Sequence, residues 1–129
     1  MARILMVNDE HDLLALCQEA LQECGYTVET ETSGRGAIDR AAQVRPDLLI
    51  VDWIIPDMDG HAVIAAFRSR PDLQDIPVLA ISALHDGESL ARRAGADDFL
   101  QKPFDADELI AAARQLLVRT AHHPSPAEP

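Results

Sequence analysis

Polar residues stand directly after apolar runs that read as buried strands. Asn8, Asp9 and Glu10 follow Arg3-Ile4-Leu5-Met6-Val7, Asp52 follows Leu48-Leu49-Ile50-Val51, Ser82 follows Val78-Leu79-Ala80-Ile81, and Lys102 follows Asp97–Gln101. Gathered at one rim, Asp9 and Asp52 would offer hard, negatively charged oxygen ligands. Mg²⁺ takes such ligands while keeping several waters and sharing a position with a phosphoryl group. The Lys102 ammonium and the Ser82 hydroxyl, placed opposite the metal, would contact phosphoryl oxygens and stabilise the charge that dominates phosphoryl transfer. A carboxylate can itself be the nucleophile and form an acyl phosphate, and Asp52 has the right surroundings for it. Taken alone, Asp52 reads equally well as the cap of a strand or turn, so the elements around it must decide.

Those elements follow from periodicity. Leu48 to Val51 are apolar without alternation, as in a strand covered on both faces, and Pro56 with Asp59-Gly60 takes the chain out of the sheet after Asp52. Between the first two strands, Leu13, Leu14, Leu16, Cys17, Ala20 and Leu21 recur at helical spacing from His11 to Cys24, and Gly25 ends that helix. Tyr26 to Thr30 reads as an edge strand, broken by the charges of Glu29 and Glu31. A second helix, capped by Thr32 or Ser33, carries Ala37, Ile38, Ala41 and Val44 and must stop before Pro46. Asp59 caps a third, with Val63, Ile64, Ala66 and Phe67 on its inner face. A fourth spans Gly87 to Ala94 with Gly95 as its stop. The last begins at the capping-box spacing Asp105…Glu108 and buries Leu109, Ile110, Ala113, Leu116 and Leu117. Strands alternating with helices through short connections call for an open, doubly wound parallel sheet, in which function gathers at the carboxyl ends of the strands. Residues 1–120 form one domain on this reading, and 121–129, with its prolines and no apolar periodicity, a disordered tail.

The chain of 129 residues is long enough to bury a core without staples, and its formal charge of −11 would repel a phosphate backbone, which argues against direct nucleic-acid binding. No apolar run is long enough to span a bilayer and no secretory pattern opens the chain, so a cytoplasmic protein is expected. Cys17 and Cys24 lie on one helix, roughly 10.5 Å apart at 1.5 Å per residue, too far for a disulfide. They read as small hydrophobes in a reducing compartment, with no basic neighbour in sequence to activate a thiol.

Four ordered motifs, Ile4 to Glu10, Asp47 to Gly60, Ile81-Ser82-Ala83 and Phe99 to Phe104, resemble those of the receiver domains of two-component response regulators, of the single-domain type seen in the chemotaxis regulator. The resemblance covers Arg3 to Thr120. It implies a flavodoxin-like α/β fold, a five-stranded parallel sheet in the order 2-1-3-4-5 flanked by five helices. It implies Asp52 as phosphoacceptor, with Mg²⁺ bound by Asp9, Asp52 and the backbone carbonyl of Ile54. Ser82 and Lys102 would contact the phosphoryl group, with Asn8 and Glu10 behind them. Ser82 and Phe99 would form the switch, and the Lys102–Pro103 bond would be cis. The donor would be a phosphohistidine on a sensor histidine kinase or a histidine phosphotransfer protein. The output would be a change in the face made by the fourth helix, the fifth strand and the last helix, read by an unknown downstream protein or by a second copy in a phosphorylation-dependent homodimer. Such a domain is not an enzyme beyond catalysing its own phosphorylation and slow dephosphorylation.

One departure from the family pattern bears on the metal. Two acids are usual where this chain has Asn8-Asp9, so one carboxylate has become an amide. Its carbonyl oxygen can still accept a hydrogen bond, but a negative charge is lost and weaker Mg²⁺ binding is expected unless Glu10 compensates. The alternative function is therefore a phosphorylation-independent pseudo-receiver acting as a protein-interaction domain. A phosphatase or mutase of haloacid-dehalogenase type is disfavoured, because Ile54 stands where such enzymes carry a second aspartate. Ile54 and Leu84 also flank the path that a hydrolytic water would take in the family, and neither can orient it, so a long-lived acyl phosphate is expected.

Overall fold

The computed structural model describes residues 2–122. Five parallel strands, β1 (Arg3–Val7), β2 (Thr27–Glu31), β3 (Leu48–Asp52), β4 (Val78–Ser82) and β5 (Asp98–Gln101), lie in the order β2-β1-β3-β4-β5. Helices α1 (His11–Glu23), α2 (Gly34–Val44), α3 (Gly60–Ser69), α4 (Gly87–Ala94) and α5 (Ala106–His122) connect them or close the chain. The expected fold and strand order are both present.

Two apolar cores, one on each face, explain why the central strands are apolar throughout. Leu5, Val7, Leu49, Val51, Val78 and Ala80 pack beneath α2, α3 and α4 with Ala37, Val63, Ile64, Phe67 and Ala91. The alternate residues Ile4, Met6, Leu48, Ile50, Leu79 and Ile81 pack against Leu14, Cys17 and Leu21 of α1 and Leu109, Ala113 and Leu116 of α5. This alternation gives every strand end two options, and the face a side chain takes is fixed by its parity along the strand. Asn8 and Asp52 continue the series that faces α1 and α5, whereas Ser82 continues the one that faces α3 and α4.

Local chemistry sets the helix limits. Ser33 Oγ accepts from Gly36 N–H at 3.0 Å and Asp59 Oδ1 from Ala62 N–H at 2.9 Å, each capping the helix that follows. Asp105 and Glu108 exchange backbone-to-carboxylate bonds at 2.8 and 3.2 Å, the expected capping box of α5. Gly25 and Gly95, at φ 95° and 109°, end α1 and α4 in a conformation that only glycine adopts freely.

Small boundary differences have identifiable causes. Tyr26 stays out of β2 because its N–H still bonds Leu21 O at the end of α1, and Cys24 is the C-cap of α1 rather than a member. Asp97 stays out of β5 because its side chain is engaged with neighbouring segments. Its Oδ2 accepts from Val78 N–H at 2.8 Å and from Arg68 at 2.9 Å. Arg68 also donates to the carbonyls of Gln74, Ile76 and Gly95, so one guanidinium ties the end of α3 to the connections that lead into β4 and β5. Helix α5 runs on to His122, two residues into the stretch expected as a tail, and 123–129 lie outside the described residues. Among the described residues no helix is long and apolar enough to cross a membrane.

Candidate functional site

The β1–β3 register pairs Val7 with Val51, so Asn8 stands beside Asp52 as both strands end, and β4 continues the row with Ile81 opposite Asp52. Asp52 is buried at 4 % exposure, an ionisable group that such burial requires to be paired. Lys102 supplies the partner. Its Nζ lies 2.7 Å from Asp52 Oδ2 and 2.7 Å from Glu10 Oε1, bringing together residues 50 and 92 positions apart in the chain. Burial of the ammonium would lower its pKa, but the hydrogen bonds to Asp52 and Glu10, with their charges, outweigh this and hold it above the ordinary lysine value. Lys102 is therefore a permanent cation at neutral pH. The Lys102–Pro103 peptide is cis, as expected.

The other oxygen of Asp52 accepts from Ile54 N–H at 3.3 Å, while the Ile54 side chain stands 64 % exposed at the mouth of the site. The loop that carries Ile54 is tethered from its far end. Asp57 accepts from Gly34 N–H at 2.7 Å and Arg35 N–H at 2.9 Å, capping α2 from outside that helix. These backbone donors hold the Asp57 carboxyl below its ordinary value, and nothing in the local sequence signals the contact. With its pKa depressed in the native state, Asp57 contributes stability above the ordinary carboxylate range and loses it as pH falls through its lowered value. Asp57→Ala should thus melt below the parent at pH 7, and the gap in Tm should close as the solution is taken below about pH 4.

Ser82 and Phe99 meet around Gly87 on the other face. A Cβ on Gly87 would lie 3.0 and 3.1 Å from Phe99 ring atoms and 3.1 Å from Ser82 Cβ, so the absence of a side chain there gives the half-buried ring its place. The Ser82 hydroxyl accepts from Leu84 N–H at 2.9 Å, and its own O–H remains to donate elsewhere. The Ser82 carbonyl accepts from Lys102 N–H at 2.9 Å, but its hydroxyl bonds neither Asp52 nor Lys102 and stays outside the Asp52–Lys102–Glu10 side-chain network.

The Asn8 carbonyl Oδ1 accepts from Glu10 N–H at 2.8 Å, while Nδ2 is buried with no partner among the described residues. Glu10, the expected compensating ligand, is engaged with Lys102. Cys17 also differs: Lys102 is its basic neighbour in space, yet burial prevails and raises the thiol pKa, so the residue stays an inert core group. Both cysteines are free.

A cation site here has few donors. Among the described residues no three or more His, Cys, Asp or Glu side chains cluster as a metal centre. Exposed Asp9 and buried Asp52 on neighbouring strand ends remain. One or two carboxylates completed by waters and a phosphate oxygen suit Mg²⁺, so the donor set fits that ion in a water-rich form.

Residues 4–114 match the family model described as response regulator receiver domain. The chain is 36 % identical over 130 residues to the DNA-binding dual master transcriptional regulator RpaA of Synechocystis, covering 99 % of this chain and 54 % of that one. It is 40 % identical over 123 residues to the response regulator MprA of Mycolicibacterium vanbaalenii, covering 92 % and 51 %. The chain thus spans about half the length of the curated relatives it matches. Among solved structures it resembles the signal receiver domain of a signal transduction histidine kinase from Syntrophus aciditrophicus, with TM-score 0.87, 33 % identity, and 99 % and 98 % of the two chains covered. It also resembles the chemotaxis protein CheY4 of Vibrio cholerae, with TM-score 0.84, 29 % identity, and 90 % and 98 % covered. Sequence and fold agree, and the chain belongs to the response regulator receiver domain family, whose function is phosphorylation-dependent signalling in two-component systems.

Proposed function

We propose that Asp52 of this chain accepts a phosphoryl group from a phosphohistidine on a sensor histidine kinase or a histidine phosphotransfer protein. The observation that carries the reading is the pair of 2.7 Å bonds placing the Lys102 ammonium on buried Asp52 and on Glu10. A carboxylate oxygen of Asp52 attacks phosphorus, the O–P bond forms as the P–N bond breaks, and the electron pair stays on the imidazole nitrogen, which takes a proton from water. Lys102 stabilises the charge on the phosphoryl oxygens. Asp9, Asp52 and the Ile54 carbonyl would hold Mg²⁺, which when bound neutralises further charge on those oxygens.

The Ser82 hydroxyl turns its free O–H toward the phosphoryl group, and Phe99 follows it around Gly87, altering the face made by α4, β5 and α5. A downstream protein or a second copy reads that face. The chain acts as a domain of 1–120 in the cytoplasm, a signalling module that at most catalyses its own phosphorylation and slow dephosphorylation. A phosphorylation-independent pseudo-receiver is not favoured, and the 2.7 Å pairing of buried Asp52 with Lys102 supports the switch reading. Incubation with Mg²⁺ and acetyl phosphate should add one phosphate to the intact mass. An unchanged mass under conditions that phosphorylate a control receiver would contradict the proposal.

A further inference from the structure

We infer that Asn8 is a phosphoryl-binding residue rather than a residual metal ligand: its Nδ2–H donates to an oxygen of the group carried on Asp52. The inference rests on Asp52 being the acceptor. Asn8 is 1 % exposed, and its orientation is set by its own backbone, because the Glu10 N–H takes Oδ1 at 2.8 Å. An amide flip would put N–H against N–H. Nδ2 is thereby left as the free donor of the residue, buried and without a hydrogen-bond partner among the described residues. A buried donor without an acceptor is costly, and in native proteins such groups are few and call for an explanation.

The register explains this one. Asn8 sits one residue beyond the Val7–Val51 pair, beside Asp52 and on the same face of the sheet. The unmodified Asp52 carboxylate bonds Lys102 and Ile54 N–H but not this amide. A phosphoryl group adds acceptor oxygens at that point, and a neutral N–H donor gains most from charged acceptors. The same donor is the wrong partner for a cation. Exchanging an acid for Asn8 therefore moves binding strength from the metal to the phosphoryl group and makes the orphaned amide a stabiliser of the phosphorylated state.

The test uses the whole chain. Side-chain amide resonances of Asn8, identified by their loss in Asn8→Asp, are followed by NMR before and after phosphorylation with acetyl phosphate, with intact mass recording the load. The amide protons should shift and exchange with water about tenfold or more slowly once phosphate is present. Asn8→Asp keeps an oxygen for the Glu10 N–H but presents charge in place of the donor. It should bind Mg²⁺ alone roughly tenfold or more tightly, read from Trp53 emission. Unmoved amide signals in protein that carries one phosphate would overturn the inference and leave the acceptor assignment standing, as would an Asn8→Asp variant with parental Mg²⁺ affinity. A chain that takes up no phosphate overturns both.

Discussion

Lys102→Gln should fold and yet take up phosphate from acetyl phosphate about 10²–10³ times more slowly than the parent, the usual consequence of losing one preorganised donor from a site where charge develops. Glutamine keeps a hydrogen-bonding head close to Asp52 but removes the cation that both Asp52 and Glu10 share at 2.7 Å. The loss falls on the transferring group, since the Lys102 ammonium bonds directly to the acceptor carboxylate. Lys102→Arg should recover little of the rate, because a planar fork cannot reproduce a compact ammonium between two carboxylates. Time courses of intact mass give the rates, and a thermal melt of each variant separates slow chemistry from a failure to fold. A Lys102→Gln rate within about threefold of the parent, against the loss expected of a missing donor, would remove Lys102 from the mechanism.

Dephosphorylation should be slow in the parent, with the acyl phosphate surviving for many minutes to hours, and Ile54→Asn with Leu84→Glu should shorten its life by about ten- to a hundredfold. Ile54 stands exposed at the mouth of the site with its backbone bonded to Asp52, and Leu84 is half-buried with its N–H bonded to Ser82. Neither side chain has an atom that can hold or deprotonate a water. Amide and carboxylate replacements at these two positions supply such atoms without touching Asp52 or Lys102. Acid-quenched samples withdrawn after the phosphodonor is removed report the decay, and loss within seconds from the unmodified protein would refute the role given to Ile54 and Leu84.

Much of the positioning is legible in the sequence because strands covered on both faces have no alternation to confuse. Leu48–Val51 and Val78–Ile81 read directly as central strands, and Asp52 and Ser82 stand out as their ends. What parity does to those ends is less visible: Asp52 and Ser82 face opposite layers, so Ser82 borders the acceptor without bonding to it. Long-range polar contacts are the other blind spot. Arg68 satisfies carbonyls from two later connections and Asp57 caps α2, and no sequence pattern singles out either residue. Periodicity reports which way a side chain points and says nothing about which backbone group waits there. Asn8 is unusual by its type alone, whereas the direction of its amide depends on the Glu10 N–H two residues on.

The most direct test of Asp52 as acceptor is chemical trapping. An acyl phosphate is reduced by borohydride to the corresponding alcohol, which converts the phosphorylated aspartate to homoserine and marks it permanently for peptide sequencing by mass spectrometry. Protein treated with Mg²⁺ and acetyl phosphate should yield homoserine at position 52 alone. Homoserine at Asp9, Asp57 or Asp59, or phosphate found on Ser82 with no reducible aspartate, would contradict the account.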